Sequence, residues 1–433
     1  MKTLSCWLAS AFLFATAGFA ETVLVHAGTL LAIPGEAPVA ERTVVVRDGK
    51  IADIRAGFVR SIEGEDVTII DLSDQFVMPG FIDLHVHLTG QSGDGSGAAF
   101  VRQTDAHAAL RAAMYAERTL MAGFTTVRNL GSRGDAMFAL RDAIAAGHVP
   151  GPKILVAGYS ITPTGGHADV HGYRAEVSEV LASSGVCDGP NDCRRAVRFQ
   201  VKRGADVIKV TATGGVLSNT NAGTGQQFTD EELKAIAETA HALGRKVTAH
   251  AHDKAGIDAA LRAGFDSIEH SMWADAETMT LFKEKGAWLI PTVYPITYVG
   301  DTPEKMKQGP FKDLPPASME KLLRLGRQPR DMTKLAYEMG VNIALGTDSG
   351  VSPHGHNARE FLEYVAIGMT PMEALMAGTV NAARAGAIEG VGSLVIGNAA
   401  NMVAMQGSPL DDITELLRLT FILRDGIVFK DEH

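Results

Sequence analysis

Hydrophobic and polar residues alternate in short β-rich runs at both ends of the chain. Near the N-terminus these runs are TVLVHAGTLLAI, RTVVVRDGKIADIRAG and VTIIDLSDQFVMPG, and Asp48 and Gly49 lie where a hairpin turn is expected. The same pattern returns in LVIGNAANMVAM and ILRDGIVFK, with a second Asp-Gly turn at residues 425 and 426. We therefore predict a small β-sandwich domain formed by residues 21–79 and 391–433 together.

Between these ends, β-rich segments alternate with segments of helical character. In one helical segment, FTDEELKAIAETAHALG, Thr229 is a predicted N-cap, Glu232 completes a capping box and Gly244 ends the helix. The alternating units predict an α/β fold, a TIM-like (β/α)8 barrel over residues 80–390. The eight predicted strands are GFIDLHVHL (80–88), FTTVRNL (124–130), KILVAGYSI (153–161), DVIKVTA (206–212), KVTAHAH (246–252), SIEHS (267–271), WLIPTVY (288–294) and NIALGTDS (342–349).

Composition and charge narrow the class of protein further. A chain of 433 residues with 46% hydrophobic and 21% charged residues can bury a large core, which excludes a disordered or fibrous protein. The formal net charge of −10, without any run of Lys or Arg, argues against a nucleic-acid partner.

The first twenty residues, MKTLSCWLASAFLFATAGFA, resemble a secretory signal peptide, with Lys2 before an apolar run and a small-residue cleavage signal at the end. The alternative, a membrane anchor, is disfavoured because the apolar run is shorter than the ~20 residues that span a bilayer. We expect a periplasmic or secreted protein without stable membrane association after cleavage. In such a compartment Cys187 and Cys193 are expected to form a disulfide, since no further Cys or His lies nearby to complete a zinc site.

Polar residues with reactive side chains lie late in the predicted strands, where a barrel places its active site. They are His85, His87, Lys209, His250, His270 and Asp348. The loops after the third and seventh predicted strands, residues 162–190 and 295–316, are the longest. We predict that these two loops form walls of a substrate site.

The two histidines of HVH point to the same face of their strand, so both can reach one cation. Taken with His250, His270 and Asp348, they form a nitrogen and carboxylate set that suits zinc or a similar divalent ion. Lys209 lies among apolar residues, where an unpaired ammonium is disfavoured. From the residues alone it is either a paired structural lysine or an amine that has reacted with carbon dioxide to form a carbamate.

Over nearly the whole mature chain, the ordered motifs MPGFIDLHVHL, IKVTATGG, TAHAHDKAGI, SIEHS and LGTDSG resemble the amidohydrolase superfamily. The resemblance implies two divalent metal ions, with zinc favoured. It implies that His85 and His87 bind the more buried ion and His250 and His270 the other, while carboxylated Lys209 bridges both. Asp348 would bind the first ion and carry a proton from the attacking, metal-bridging hydroxide to the departing amine.

Within the superfamily, TPTGGHAD, ATGG and GVSPHGHN are similar to imidazolonepropionase-related metallo-carboxypeptidases and Xaa-Pro dipeptidases, a branch that includes ochratoxin-degrading amidohydrolases. This implies cleavage of the amide bond to a C-terminal amino acid in dipeptides or N-acyl amino acids, including aryl amides. Ring opening of a cyclic amide or imidazolone is the alternative. A deaminase is disfavoured because Asp253 stands where such sites carry a glutamate, and a non-catalytic barrel because every ligand position is kept. We also expect a homo-oligomer.

Several neighbouring residues have weaker assignments. His167 and His354 are predicted to bind substrate. His356 lies in the same GVSPHGHN segment as His354. His252 is an alternative ligand to His250, expected further out at the rim. Asp83 or Glu269 is expected to orient a metal-binding histidine. Tyr294 is expected to pack.

Overall fold

The computed structural model describes residues 22–92, 99–219, 223–300 and 302–433. The predicted signal peptide therefore lies outside the described residues. Within them, no helix is long and apolar enough to cross a membrane.

The described chain alternates strands and helices through its middle and has strands at both ends. The strands are β1 (Thr22–Leu30), β2 (Val39–Arg47), β3 (Lys50–Ala56), β4 (Val67–Pro79), β5 (Phe81–Val86), β6 (Phe124–Asn129), β7 (Lys153–Val156), β8 (Val207–Thr211), β9 (Lys246–Ala251), β10 (Ser267–His270), β11 (Trp288–Ile290), β12 (Asn342–Ile343), β13 (Met402–Met405), β14 (Phe421–Arg424) and β15 (Ile427–Asp431). The helices are α1 (Ala99–Arg102), α2 (Asp105–Met121), α3 (Ala136–Ala145), α4 (Ala175–Leu181), α5 (Pro190–Lys202), α6 (Asp230–Ala242), α7 (Lys254–Ala263), α8 (Ala276–Lys285), α9 (Tyr294–Val299), α10 (Pro303–Gln308), α11 (Pro316–Leu325), α12 (Gln328–Glu338), α13 (Arg359–Ala366), α14 (Pro371–Ala377), α15 (Val380–Gly386) and a 3₁₀ helix at Ile413–Leu417.

The two chain ends contribute to one sheet, in the order β15-β14-β13-β4-β1-β2-β3. Strand β4 runs parallel to β1 and antiparallel to β13, so the sheet is mixed. The Asp48 and Asp425 turns adopt left-handed backbone angles, each followed by a glycine, as hairpin turns require. Participation of both ends in one sheet is as predicted, but the strands pair as a single sheet and the predicted β-sandwich is not confirmed.

The middle of the chain has α/β architecture, and all eight predicted segments contain a strand. These strands form two parallel sheets, β5-β6-β7 and β12-β11-β10-β9-β8. The sheets meet at one edge through a bridge between Ile161 and Val210 and at the other between Val86 and Ser349. The described strands do not form one continuous closed barrel sheet, because β7 and β12 are only four and two residues long and leave isolated bridges at the seams.

Helix α6 was predicted correctly, because the capping signals at its start are strong in the sequence. Helix α6 begins after Thr229, whose side chain accepts from the backbone of Glu232, while the Glu232 carboxylate accepts from the Thr229 N–H. The predicted loops 162–190 and 295–316 were wrong in part, since they contain α4, α10 and most of α9. These helices have six or seven residues, too few for a hydrophobic period to be recognised.

The predicted disulfide is present, with Cys187 and Cys193 joined and their Cα atoms 5.0 Å apart. Both cysteines are buried in the main core. The bond fixes the end of the 162–190 segment against the start of α5, which begins at Pro190.

Candidate active site

Three of the predicted ligands meet just beyond the ends of β5 and β12. The Nε2 atoms of His85 and His87 are 3.3 Å apart, and Oδ1 of Asp348 lies 3.4 Å from the first and 3.3 Å from the second. One ligand atom from each residue lies within 4.8 Å of the other two. Two imidazoles and a carboxylate at this spacing can hold one divalent cation.

His250 on β9 and His270 at the end of β10 lie beside this group. Their ring centroids are 4.7 Å apart, and the His270 ring is 5.0 Å from that of His85. Nε2 of His250 is buried and has no hydrogen-bond partner among the described residues. A buried nitrogen without a partner is costly, which is consistent with a ligand position.

Lys209 on β8 reaches the same cavity, and its Nζ is buried without a hydrogen-bond partner in the described part of the chain. Burial lowers the pKa of Lys209 to about 8, which favours the neutral amine more than in water. The hydrogen bond that a paired structural lysine would make is therefore not found for Lys209 among the described residues. The six predicted ligands all line one cavity of about 550 Å³.

Hydrogen bonds on the far side of each ring select the tautomer of three histidines. Nδ1 of His85 donates to Glu269 at 2.7 Å, and Nδ1 of His87 donates to the Gly131 carbonyl at 3.4 Å. Nδ1 of His270 donates at 2.7 Å to the Thr292 hydroxyl, which itself donates to the Pro291 carbonyl. A neutral imidazole that donates through Nδ1 has an unprotonated Nε2, which is the nitrogen that binds a metal.

Glu269 is the residue that orients His85, as one of the two sequence hypotheses held. Its other oxygen accepts from Nη2 of Arg128 at 2.7 Å and from the Thr248 hydroxyl. Burial raises the pKa of Glu269, but Arg128 and His85 outweigh burial and bring it down to about 2. Arg128 was missed by sequence reasoning, although a charged residue within the apolar strand FTTVRNL was a usable signal.

Asp83, the other candidate, makes its hydrogen bonds to groups other than a histidine ring in the described part of the chain. It accepts from the backbone N–H groups of His85 and Thr347, from the Thr347 hydroxyl and from the Asn357 amide. Asp83 thus ties the strand that carries His85 to the residue preceding Asp348. Its effect is to fix the backbone on both sides of the cation position.

The protonation states suit cation binding. Burial, reinforced by Lys209, lowers the pKa of His85 to about 4, and burial holds the pKa values of His250 and His270 well below the usual range. Burial opposes ionisation of Asp348, but His85, His87 and Lys209 together lower its pKa. Neutral imidazoles and an ionised carboxylate are therefore present at neutral pH.

His167 lines the cavity and stacks on His250, with ring centroids 4.3 Å apart. His252 also lines the cavity but is only 3% exposed, so its expected position at the rim was wrong. Its backbone N–H donates to the Thr213 hydroxyl at 3.0 Å, and its ring lies against that of His250, with centroids 4.5 Å apart. Sequence spacing alone could not distinguish the depth of two histidines on one strand face.

His354 does not line this cavity. Its Nε2 donates to the Gly90 carbonyl at 3.0 Å and its ring lies against Tyr115. The side chain therefore lies behind the loop after β5 and has no direct contact with the cavity. Tyr294 is buried, as a packing role requires, and its hydroxyl is hydrogen-bonded to Nδ1 of His356 at 3.2 Å.

Comparison with known proteins agrees with this geometry. Residues 76–428 match the model of the amidohydrolase family, and the chain belongs to that family. It is 34% identical to the ochratoxinase of Aspergillus niger over 95% of this chain and 87% of that protein. Family membership and this relationship make the chain a hydrolase acting on amide bonds, in a family whose members are typically metal-dependent.

Two solved structures are also similar to this chain over most of its length. The structure of a Xaa-Pro dipeptidase with methionine bound in its active site superposes with a TM-score of 0.85 at 37% identity, covering 94% of this chain and 100% of the other. A prolidase complexed with N-methylphosphonate-L-proline superposes with a TM-score of 0.81 at 27% identity, covering 95% and 100%.

Proposed function

We propose that this protein hydrolyses the amide bond to a C-terminal amino acid in dipeptides or N-acyl amino acids, aryl amides such as ochratoxin A included. The observation that carries the proposal is the convergence of all six ligand-type side chains on one cavity. The relatives support it, because an ochratoxinase and a Xaa-Pro dipeptidase are both similar to this chain over most of their length.

The residues fit two divalent cations, and zinc is the metal we propose. His85, His87 and Asp348 would hold one, and His250 and His270 the other. The partnerless Nζ of Lys209 supports a carbamate on that amine, whose two oxygens could serve both sites. When bound, such cations would supply Lewis-acid activation of the amide carbonyl and of the attacking water.

Asp348 is the residue that we assign to proton transfer. Its carboxylate is ionised and its side chain is 16% exposed, so it is accessible from the cavity. Oδ1 or Oδ2 would accept a proton from water as the carbon–oxygen bond forms and pass it to the amide nitrogen as the carbon–nitrogen bond breaks. Without that proton the departing group would be an amide anion, which leaves very poorly.

His167 is the side chain that we assign to the substrate carbonyl. Its ring stacks on His250, and its Nδ1 is buried without a partner among the described residues. Burial lowers the pKa of His167 to about 3, so the ring is neutral and can donate one hydrogen bond. Such a donor beside the ligand cluster would hold the substrate carbonyl in place.

A screen of the zinc-loaded protein against dipeptides, N-acyl amino acids and cyclic amides tests the function, with products identified by chromatography. We expect release of the C-terminal amino acid. Opening of a cyclic amide without cleavage of any dipeptide or acyl amino acid would contradict the proposal. Asp348→Asn serves as the matched control for hydrolysis by a contaminating enzyme.

We also propose that the protein is exported to the periplasm or the medium. The Cys187–Cys193 disulfide supports this, since such bonds persist in oxidising compartments. Expression of the full chain followed by cell fractionation and N-terminal sequencing checks it. A mature protein beginning near residue 21 outside the cytoplasm is expected.

A further inference from the structure

The cavity is divided into two chemically different halves. The polar half lies over the three-stranded sheet, on loops that follow β5, β6 and β7. Its side chains include Gln91, Ser92, Ser132, Arg133, Tyr159 and Ser160. The ligand cluster lines the same cavity.

The apolar half lies over the five-stranded sheet, on loops and helices that follow β8, β10 and β11. Its side chains include Val216, Met272, Ile296, Phe311, Leu322 and Leu325. These residues pack together as one hydrophobic cluster, separate from the main core. A substrate in this cavity would therefore place a charged or polar group on one side and an apolar group on the other.

Within the polar half, the loop after β6 lies directly beside the ligand cluster. The Gly131 carbonyl accepts from His87 at 3.4 Å, so Ser132 and Arg133 are one and two residues from a ligand contact. The loop is held in place, because Ser132 N–H donates to the Gly158 carbonyl at 2.9 Å and Gly134 N–H donates to the Tyr159 hydroxyl at 3.0 Å. A fixed loop at this distance can bind a group close to the scissile bond.

Two features of this loop indicate an anionic ligand. The Ser132 side chain is only 8% exposed, and its Oγ lines the cavity without a hydrogen-bond partner among the described residues. Among the described residues that line the cavity, Arg133 and Lys209 are those with a lysine or arginine side chain, and Lys209 lies at the buried end of the cavity. The Arg133 guanidinium is anchored by a 3.1 Å hydrogen bond from Nη1 to the Leu181 carbonyl.

We infer that Ser132 and Arg133 form the subsite for the terminal carboxylate of the substrate, while the acyl side of the scissile bond lies over the apolar half. A planar guanidinium matches a carboxylate and carries its charge at every relevant pH. The Ser132 hydroxyl would donate a further hydrogen bond to the same carboxylate. The inference rests on the proposed function, since it assigns one end of that substrate.

The test compares acids with their neutral counterparts. The probes are Leu-Phe and N-benzoyl-phenylalanine, each paired with its C-terminal amide, and release of leucine or benzoate is followed by chromatography. We expect wild-type kcat/KM to favour the acids by about 10- to 100-fold, as for a hydrogen bond to a charged group. In Arg133→Met that preference should fall to within about threefold of unity, with the rate on the amides largely kept.

Further variants separate this role from a general structural one. Arg133→Lys keeps the charge and should retain part of the preference, and Ser132→Ala should lose a smaller part of it. Arg174→Gln is the charge-matched control, because Arg174 is exposed and pairs with Glu176 on the segment after β7. That variant should behave as wild type.

An unchanged acid-to-amide ratio in Arg133→Met, or an equal loss on acid and amide, would overturn the inference. If wild type cleaves neither member of a pair, the proposed function fails, and calorimetric binding of the same acids and amides still decides the subsite. Tighter binding of the acid by wild type, lost in Arg133→Met, supports it. Equal binding of acid and amide by wild type contradicts it.

Discussion

The buried pair of Arg128 and Glu269 should determine both the stability of the fold and the geometry of His85. Glu269 is fully buried and accepts hydrogen bonds from Arg128, Thr248 and His85. Glu269→Gln keeps the size of the side chain but replaces one acceptor oxygen with an NH₂ donor. The new NH₂ group would then face another donor, either the Arg128 guanidinium or the His85 N–H. Arg128, which is 1% exposed, would also lose its counter-charge.

Removal of one partner from a buried pair costs about 3–5 kcal/mol, because the remaining charge is not compensated. We expect the free energy of unfolding of Glu269→Gln, measured by urea denaturation of the metal-free protein, to fall by that amount. Loss of the group that orients a metal-binding histidine should also weaken metal affinity by about 10- to 100-fold. Metal content after dialysis against a chelator of known affinity measures the second effect.

Two further variants check the physical cause. Arg128→Met combined with Glu269→Gln should be less destabilised than Glu269→Gln alone, because neither charge of the pair then remains buried. Glu238→Gln removes a glutamate from an exposed pair with Lys234 and should leave the urea midpoint unchanged. A Glu269→Gln protein with wild-type midpoint and metal content would refute the reasoning.

Three other predictions concern the cavity itself. Lys209→Ala should lose metal and activity together. Its metal-free stability, measured by urea denaturation, should be kept or raised, because a buried amine without a hydrogen-bond partner among the described residues is removed. The control Lys234→Ala, on the surface, should change neither metal binding and activity nor stability. Asp348→Asn should lower kcat by about 10²- to 10⁴-fold in steady-state assays at matched metal content, and a smaller loss would remove its proton-transfer role. In the metal-free protein, burial lowers the pKa values of His85 and His167 to about 4 and about 3, so the unfolded state binds more protons below about pH 6.5. The free energy of unfolding should therefore fall as pH decreases from 6.5 towards 3, and a flat urea midpoint over that range would contradict this.

The positions of the candidate ligands followed from the sequence because parallel strands place their carboxyl ends at one edge. His85, Lys209, His250 and His270 could each be placed late in a segment of clear hydrophobic pattern. Their convergence on one cavity required only the order of the strands. This prediction did not depend on the exact residue at which each strand ends, so it was not affected by the shortness of the observed strands.

Contacts between distant residues could not be predicted in the same way. Arg128 and Glu269 are separated by 141 positions, and nothing local to either residue indicates the other. The backbone of His252 is held by a hydrogen bond to Thr213, which lies in the segment after β8 and 39 positions away in the chain. The single terminal sheet depends on the pairing of β4 with both β1 and β13, and alternation along β4 does not specify these partners.

Backbone conformation at the strand ends explains why so much of the site depends on such contacts. His270, Ser271, Thr292 and Asp348 all have positive φ angles, between 50° and 70°, in a region that non-glycine residues seldom occupy. Each such residue costs about 1–3 kcal/mol, so the surrounding structure must hold it. Glycine would adopt these angles without strain, but it has no side chain that could supply the imidazole, hydroxyl or carboxylate found at these positions. The protein therefore keeps reactive side chains at strained positions and stabilises them through buried groups such as Glu360, which accepts from two backbone N–H groups directly after Thr292.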